Sequence, residues 1–129
     1  MNDNAIRIIL KQWLKANASD KGIGIRIFYE KAISNSIADV LAVTEDGIWG
    51  FEIKSDVDDL RRLNTQLDNY SKACDRCYVV VGERNVEKVK SCIPRFCGVL
   101  KWKLSCKNHQ KKGRDQTSQR PYGLLGRQY

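Results

Sequence analysis

Apolar residues recur through residues 4 to 15 at Ile6, Ile9, Leu10, Trp13 and Leu14, the spacing of a helix with one buried stripe, behind Asn2 or Asp3 as a cap. "NASDKGIG" is expected to break that helix. The pattern then shortens to strand length in "IRIFYE" (25 to 30), "SIADVLAV" (36 to 43) and "IWGFEIK" (48 to 54), the last two joined by "TEDG". Ser55-Asp56-Val57-Asp58 has the form of a capping box, and Leu60, Leu63, Leu67, Tyr70 and Cys74 follow at helical steps. "CYVVVG" (77 to 82) is apolar throughout, which predicts a strand covered on both faces. "NVEKVKSCI" (85 to 93), stopped by Pro94, predicts a third helix, and "CGVLKWKL" (97 to 104) a last strand. This order predicts an α/β protein, a mixed β-sheet carrying a hairpin and flanked by helices.

Length and charge add a boundary. The 129 residues, 42% of them hydrophobic, suit one domain. Residues 1 to 100 hold 15 Lys and Arg against 14 Asp and Glu, whereas residues 101 to 129 hold 8 against 1. The expected division is therefore a domain over 1–104 and a basic, flexible tail over 105–129. Lys111, Lys112, Arg114 and Arg120 in that tail suit phosphate backbones, with Tyr122 and Tyr129 available for stacking on bases; a solvated end is the alternative. No run approaches the roughly 18 apolar residues of a membrane span, and charges interrupt the N-terminal apolar runs, so a cytoplasmic protein with no membrane partner is expected.

Cysteine usage leaves two readings. Cys92, Cys97, Cys106 and His109 are ligand types that zinc accepts, though their spacing fits no standard two-knuckle pattern. Cys74 and Cys77, where a helix runs into a strand, read more simply as small buried residues.

Within "GFEIKS", Glu52 and Lys54 lie two apart and so share one face of their strand, with Ile53 turned away. An acid-x-lysine triplet alone is common by chance. The hairpin raises the signal. With Asp46-Gly47 as a two-residue loop, Asp39 pairs with Lys54; with a four-residue loop, Thr44 to Gly47, Asp39 falls opposite Glu52; only a three-residue loop turns Asp39 to the other face. Two of these three registers converge Asp39, Glu52 and Lys54. Charges on strands otherwise made of Val, Leu, Ala, Phe and Ile cost free energy unless paired or holding an ion. Two carboxylates suit Mg²⁺ or Mn²⁺, and a neighbouring lysine suits the orientation of water or the stabilisation of developing negative charge, so phosphodiester hydrolysis is the implied chemistry.

"IADVLAV" followed by "GFEIKS" resembles the PD-(D/E)XK nuclease superfamily, the restriction-endonuclease-like fold, with Asp39 as the motif aspartate and Glu52-Ile53-Lys54 as its (D/E)XK; Ala38 stands where the motif has proline. Gln66 and Tyr70 resemble the Q-x-x-x-Y of RecB-type nucleases, and the run from Glu30 to Val81 is similar to short bacterial, DNA-repair-linked proteins of that kind. The resemblance implies a metal-dependent DNA nuclease. Asp39, Glu52, the Ile53 carbonyl and Glu30 would surround Mg²⁺ or Mn²⁺, Lys54 would assist the water, and Gln66 and Tyr70 would lie near the metal and the scissile phosphate. Each has a plainer reading: Tyr70 as a core tyrosine, Gln66 as a solvated helix residue, Glu30 as a strand-end charge. Arg61 and Arg62 follow the motif on the helix and could clamp phosphates or face solvent. A structure-selective endonuclease of the Holliday-junction-resolvase type is the narrower alternative, favoured by the small size and further by a homodimer if one forms. A nucleic-acid-binding module that keeps the fold without catalysis, its affinity carried by the tail, is the alternative from another class.

Overall fold

The computed structural model of the protein describes residues 3–54, 60–102 and 124–126. α1 (Asp3–Lys21) is followed by β1 (Ile25–Ile33), β2 (Ser36–Thr44) and β3 (Gly47–Lys54). A turn of 3-10 helix at Leu60–Arg62 leads into α2 (Leu63–Ala73), then β4 (Arg76–Gly82), a 3-10 turn at Glu83–Asn85, α3 (Val86–Lys90) and β5 (Cys97–Trp102). A short β6 (Leu124–Gly126) completes one six-stranded sheet in the order β1-β2-β3-β4-β5-β6. The β1-β2-β3 meander is antiparallel, β3-β4-β5 is parallel, and β6 is antiparallel to β5. The expected mixed sheet with helices against it is thus observed.

Two cores sandwich the sheet. On one face Ile6, Leu10 and Leu14 of α1 pack with Val40, Ala42, Phe51, Ile53, Tyr78, Val80 and Leu100. On the other, Leu63, Leu67 and Tyr70 of α2 and Val86 and Val89 of α3 pack with Cys77, Val79, Val81, Cys97 and Val99. β4 therefore divides its side chains between both cores, as its apolar run predicts. Burying each leucine of α2 is worth about 1.5–3 kcal/mol, which explains how α2 holds although no side chain among the described residues caps its first turn.

Several boundaries differ from expectation for local reasons. α1 runs through "NASDK" because Ala18, 5% exposed, continues the stripe of Ile6, Leu10 and Leu14. It ends where Gly22 takes φ 69, with Gly22 N–H donating to Ser19 O and Ile23 N–H to Ala18 O, a Schellman closure. The second α-helix begins at Leu63 rather than after Ser55; the expected capping box, residues 55–58, lies outside the described residues. α3 stops at Lys90. Residues 124–126, assigned above to the tail, return to the sheet as β6. Cys97, considered with Cys92, Cys106 and His109 as a ligand, instead touches Cys77 across β4 and β5 in the α2-side core; Cys106 and His109 lie outside the described residues.

The hairpin register is the one with Asp39 across from Glu52. Observed pairs run from Thr44 with Gly47 to Val40 with Phe51, so the tight turn is Glu45-Asp46, one residue earlier than the Asp46-Gly47 loop. Thr44 decides this locally: its hydroxyl accepts the Asp46 N–H at 2.9 Å and donates to Gly47 O at 3.0 Å. A distant residue reinforces it, since Asp75 Oδ2 accepts the Ile48 N–H at 2.8 Å and the Asp75 N–H donates to Ile48 O at 2.7 Å. Gly47, at φ 127, could not carry a side chain there, because a Cβ would stand 2.5 Å from Asp75 Oδ2. No helix among the described residues is long and apolar enough to cross a membrane.

Candidate active site

β2 and β3 stop pairing at Val40 and Phe51, although β2 reaches back to Ser36 and β3 forward to Lys54. The strands separate at Asp39 and Glu52. There the Ile53 N–H, which would otherwise serve a ladder, donates to Asp39 Oδ2 at 2.8 Å. A second irregularity faces this gap from β1. Glu30 has φ 50, a left-handed conformation that costs a non-glycine residue roughly 1–2 kcal/mol. Tyr29 pairs with Val40 and Lys31 with Ala38 on either side of it. At this step the hairpin turns over: Val40 packs in the α1-side core, yet Ala38, two residues away, packs in the α2-side core. Regular strands would keep both on one face. Asp39 sits at the crossover.

Glu52 is 4% exposed and is held from α2. The Tyr70 hydroxyl, itself in a side chain with no exposure, donates to Glu52 Oε1 at 2.7 Å, lies 3.1 Å from Phe51 O, and accepts the Asp39 N–H at 3.3 Å. One phenol thus ties both acidic residues to the helix. It can approach because Gly50 leaves room: a Cβ there would stand 2.5 Å from Tyr70 Cδ2. Lys54 Nζ lies 3.6 Å from Glu52 Oε2, with the Lys54 side chain 17% exposed.

Burial pushes the Glu52 carboxyl up to about 7, and the neighbouring Asp39 carboxylate pushes in the same direction; the Tyr70 hydroxyl and Lys54 oppose them without cancelling them. Burial and the Glu52 charge hold the Tyr70 phenol far above its ordinary range, so it remains a donor. Glu52 therefore holds its proton more tightly than an ordinary carboxyl, chiefly because it is buried.

The structure brings together Asp39, Glu52, Lys54, Ile53 and Tyr70. Gln66, one helical turn before Tyr70, is half-buried, and its Oε1 is buried with no hydrogen-bond partner among the described residues. Glu30 reaches the site differently: its Oε2 lies 3.0 Å from Arg7 Nη2 on α1, and the same nitrogen is 3.8 Å from Asp39 Oδ1. Among the described residues no three His, Cys, Asp or Glu side chains group as metal ligands. Arg62 is exposed beside α2; Lys111, Lys112, Arg114 and Arg120 lie outside the described residues, as does the side chain of Arg61.

Sequence reasoning missed Arg7 and Asn69. Arg7 lies beside the buried stripe of α1, a place that reads as solvated surface. Asn69 is 7% exposed, donates from Nδ2 to Ser36 Oγ at 2.8 Å and accepts from Ser34 Oγ at 3.3 Å, bracing the end of the β1-β2 hairpin against α2. Its apolar-flank position on the helix was the available signal.

The donor set fits a hard divalent cation in type and number. Asp39 and Glu52 are oxygen donors, and Mg²⁺ or Mn²⁺ bound through one or two carboxylates keeps waters and substrate oxygens as its other ligands. The raised proton affinity of Glu52 comes chiefly from its burial, with the Asp39 charge second.

Fold and site together define an α/β protein with an acid-acid-lysine constellation at the parting of two central strands. The chain belongs to the bacteriophage P4 protein cII family, whose match covers residues 4–125. That match includes most of the segment following Leu104, so the family unit extends to the region of β6. No curated protein and no solved structure matches the chain.

Proposed function

We propose that this protein is a metal-dependent nuclease of the PD-(D/E)XK kind, hydrolysing DNA phosphodiester bonds. The observation that carries the reading is the meeting of Asp39, Glu52 and Lys54 where β2 and β3 part, with Glu52 buried beside the Asp39 carboxylate. Asp39, Glu52 and the Ile53 carbonyl would hold Mg²⁺ or Mn²⁺, which when bound would polarise a phosphoryl oxygen and acidify a water. Lys54 supplies a cation beside that centre, where it can orient the water or stabilise negative charge developing on the phosphate. Tyr70 positions: it fixes the rotamer of Glu52 and the backbone of Asp39 from α2. Gln66 Oε1 is an acceptor one turn away. Membership of the phage family assigns no reaction by itself.

The test is cleavage of end-labelled DNA with Mg²⁺ or Mn²⁺, across duplex, single-strand, flap and four-way-junction substrates. Wild type should give products, and Glu52→Ala and Lys54→Ala should lower the rate by about 100-fold or more. Equal activity in the variants, or no product in wild type with any metal, would refute the reading. Preference for the junction would select the resolvase-like alternative. Binding without cleavage, lost when Lys111, Lys112, Arg114 and Arg120 are changed to Gln, would select a non-catalytic DNA-binding module.

A further inference from the structure

We infer that Arg7 is the phosphate-positioning residue of this site and that Glu30 acts as its anchor, not as a ligand of the metal. The inference rests on the nuclease reading and adds to it the recognition of the substrate phosphate.

Arg7 follows the fully buried Ile6 on α1 and is itself half-buried. Its guanidinium lies 5.8 Å from the centroid of the Tyr29 ring and its side chain is only 17% exposed. Nη2 contacts Glu30 Oε2 at 3.0 Å and stands 3.8 Å from Asp39 Oδ1. The Arg7 Nε is buried and has no acceptor among the described residues. A partly buried guanidinium beside the outer oxygen of the candidate metal-binding aspartate suits one kind of guest. A cation held by few carboxylates shares a phosphate oxygen, and the planar fork of an arginine is matched to another oxygen of that phosphate.

Glu30 is poorly suited to the metal. Its side chain is 64% exposed and its nearer oxygen is committed to Arg7. Its left-handed backbone, φ 50, has a use if it delivers the carboxylate to Arg7 across the crossover of the hairpin. Glu30 then orients the guanidinium and keeps it from closing fully on Asp39.

The experiment uses the full chain. Mn²⁺ binding is followed by calorimetry, and binding of a short fluorescein-labelled duplex by anisotropy in Ca²⁺. Variants are Asp39→Asn, Glu30→Gln, Arg7→Gln, Arg7→Lys and the Arg7→Gln/Glu30→Gln pair. Asp39→Asn should weaken Mn²⁺ binding by about tenfold or more, whereas Glu30→Gln and Arg7→Gln should leave it within about threefold of wild type. Arg7→Gln should weaken DNA binding by about tenfold or more, and Arg7→Lys, which keeps the charge without the fork, should recover part of that loss. Glu30→Gln should weaken DNA binding in wild type and have no effect in the Arg7→Gln background. A tenfold loss of Mn²⁺ affinity in Glu30→Gln, or unaltered DNA binding in Arg7→Gln, overturns the inference while a wild type that cleaves DNA leaves the nuclease reading standing. A wild type that takes up no Mn²⁺ removes both. Should Arg7→Gln fail to fold, Arg7→Lys decides: DNA affinity equal to wild type overturns the proposal, and a weaker one supports it.

Discussion

Glu52→Gln is expected to stabilise the protein, and only where the glutamate would be charged. The carboxyl titrates near 4.5 ordinarily and about 7 in the folded chain. Each tenfold change in proton affinity is worth about 1.4 kcal/mol, so the ionised folded state is roughly 3 kcal/mol less stable than it would be with an ordinary carboxyl. The direction follows from which state holds the proton. The folded state binds it more tightly, so this residue's contribution is fully present below the unfolded value near 4.5, declines as pH rises, and is lost above about 7. Glutamine has the shape of the neutral acid and retains an oxygen for the Tyr70 hydroxyl. Urea unfolding, followed by tryptophan fluorescence in EDTA, should therefore show a small difference from wild type near pH 5 and a gain of roughly 2–3 kcal/mol near pH 8. Mn²⁺ should narrow the gap at pH 8 by stabilising wild type alone. A variant less stable than wild type at pH 8, or a difference that does not change with pH, would refute the electrostatic account. Stability gained by removing a proposed metal ligand would mark Glu52 as held for function at a cost to the fold.

Tyr70→Phe deletes the hydroxyl that serves Glu52, and should lower stability by about 1.5–3 kcal/mol at neutral pH while raising the Glu52 titration midpoint above about 7; carbon-detected NMR of the Glu52 carboxyl reads the midpoint, and an unchanged value contradicts the role assigned to the phenol. Gly50→Ala should destabilise by about 1–3 kcal/mol, because the new Cβ would stand 2.5 Å from Tyr70 Cδ2 and 2.9 Å from Cys74 Sγ in a packed core. Chemical denaturation measures this, and a wild-type midpoint would show that Tyr70 moves aside freely.

The elements and the acid-x-lysine triplet are legible in local pattern alone. The stripe of Ile6, Leu10 and Leu14, the two-sided apolar run of β4, and the shared face of Glu52 and Lys54 are periodicities that survive into the fold because burial rewards them residue by residue. Tertiary structure decided how the pieces meet. "TEDG" allowed several registers, and the observed one is held by the Thr44 hydroxyl and by Asp75, which lies 27 positions beyond Ile48. The α1 C-terminus depended on Ala18 finding the core, so polar neighbours that looked like a break did not act as one. Arg7 was illegible because its partners, Glu30 and Asp39, come from other elements. Glu30 was legible as an acid near the site but not in its conformation, which arises where the hairpin turns from one core to the other. Local pattern records which residues favour burial; convergence of charges depends on strand register and helix placement, which are settled only when both faces of the sheet are covered at once.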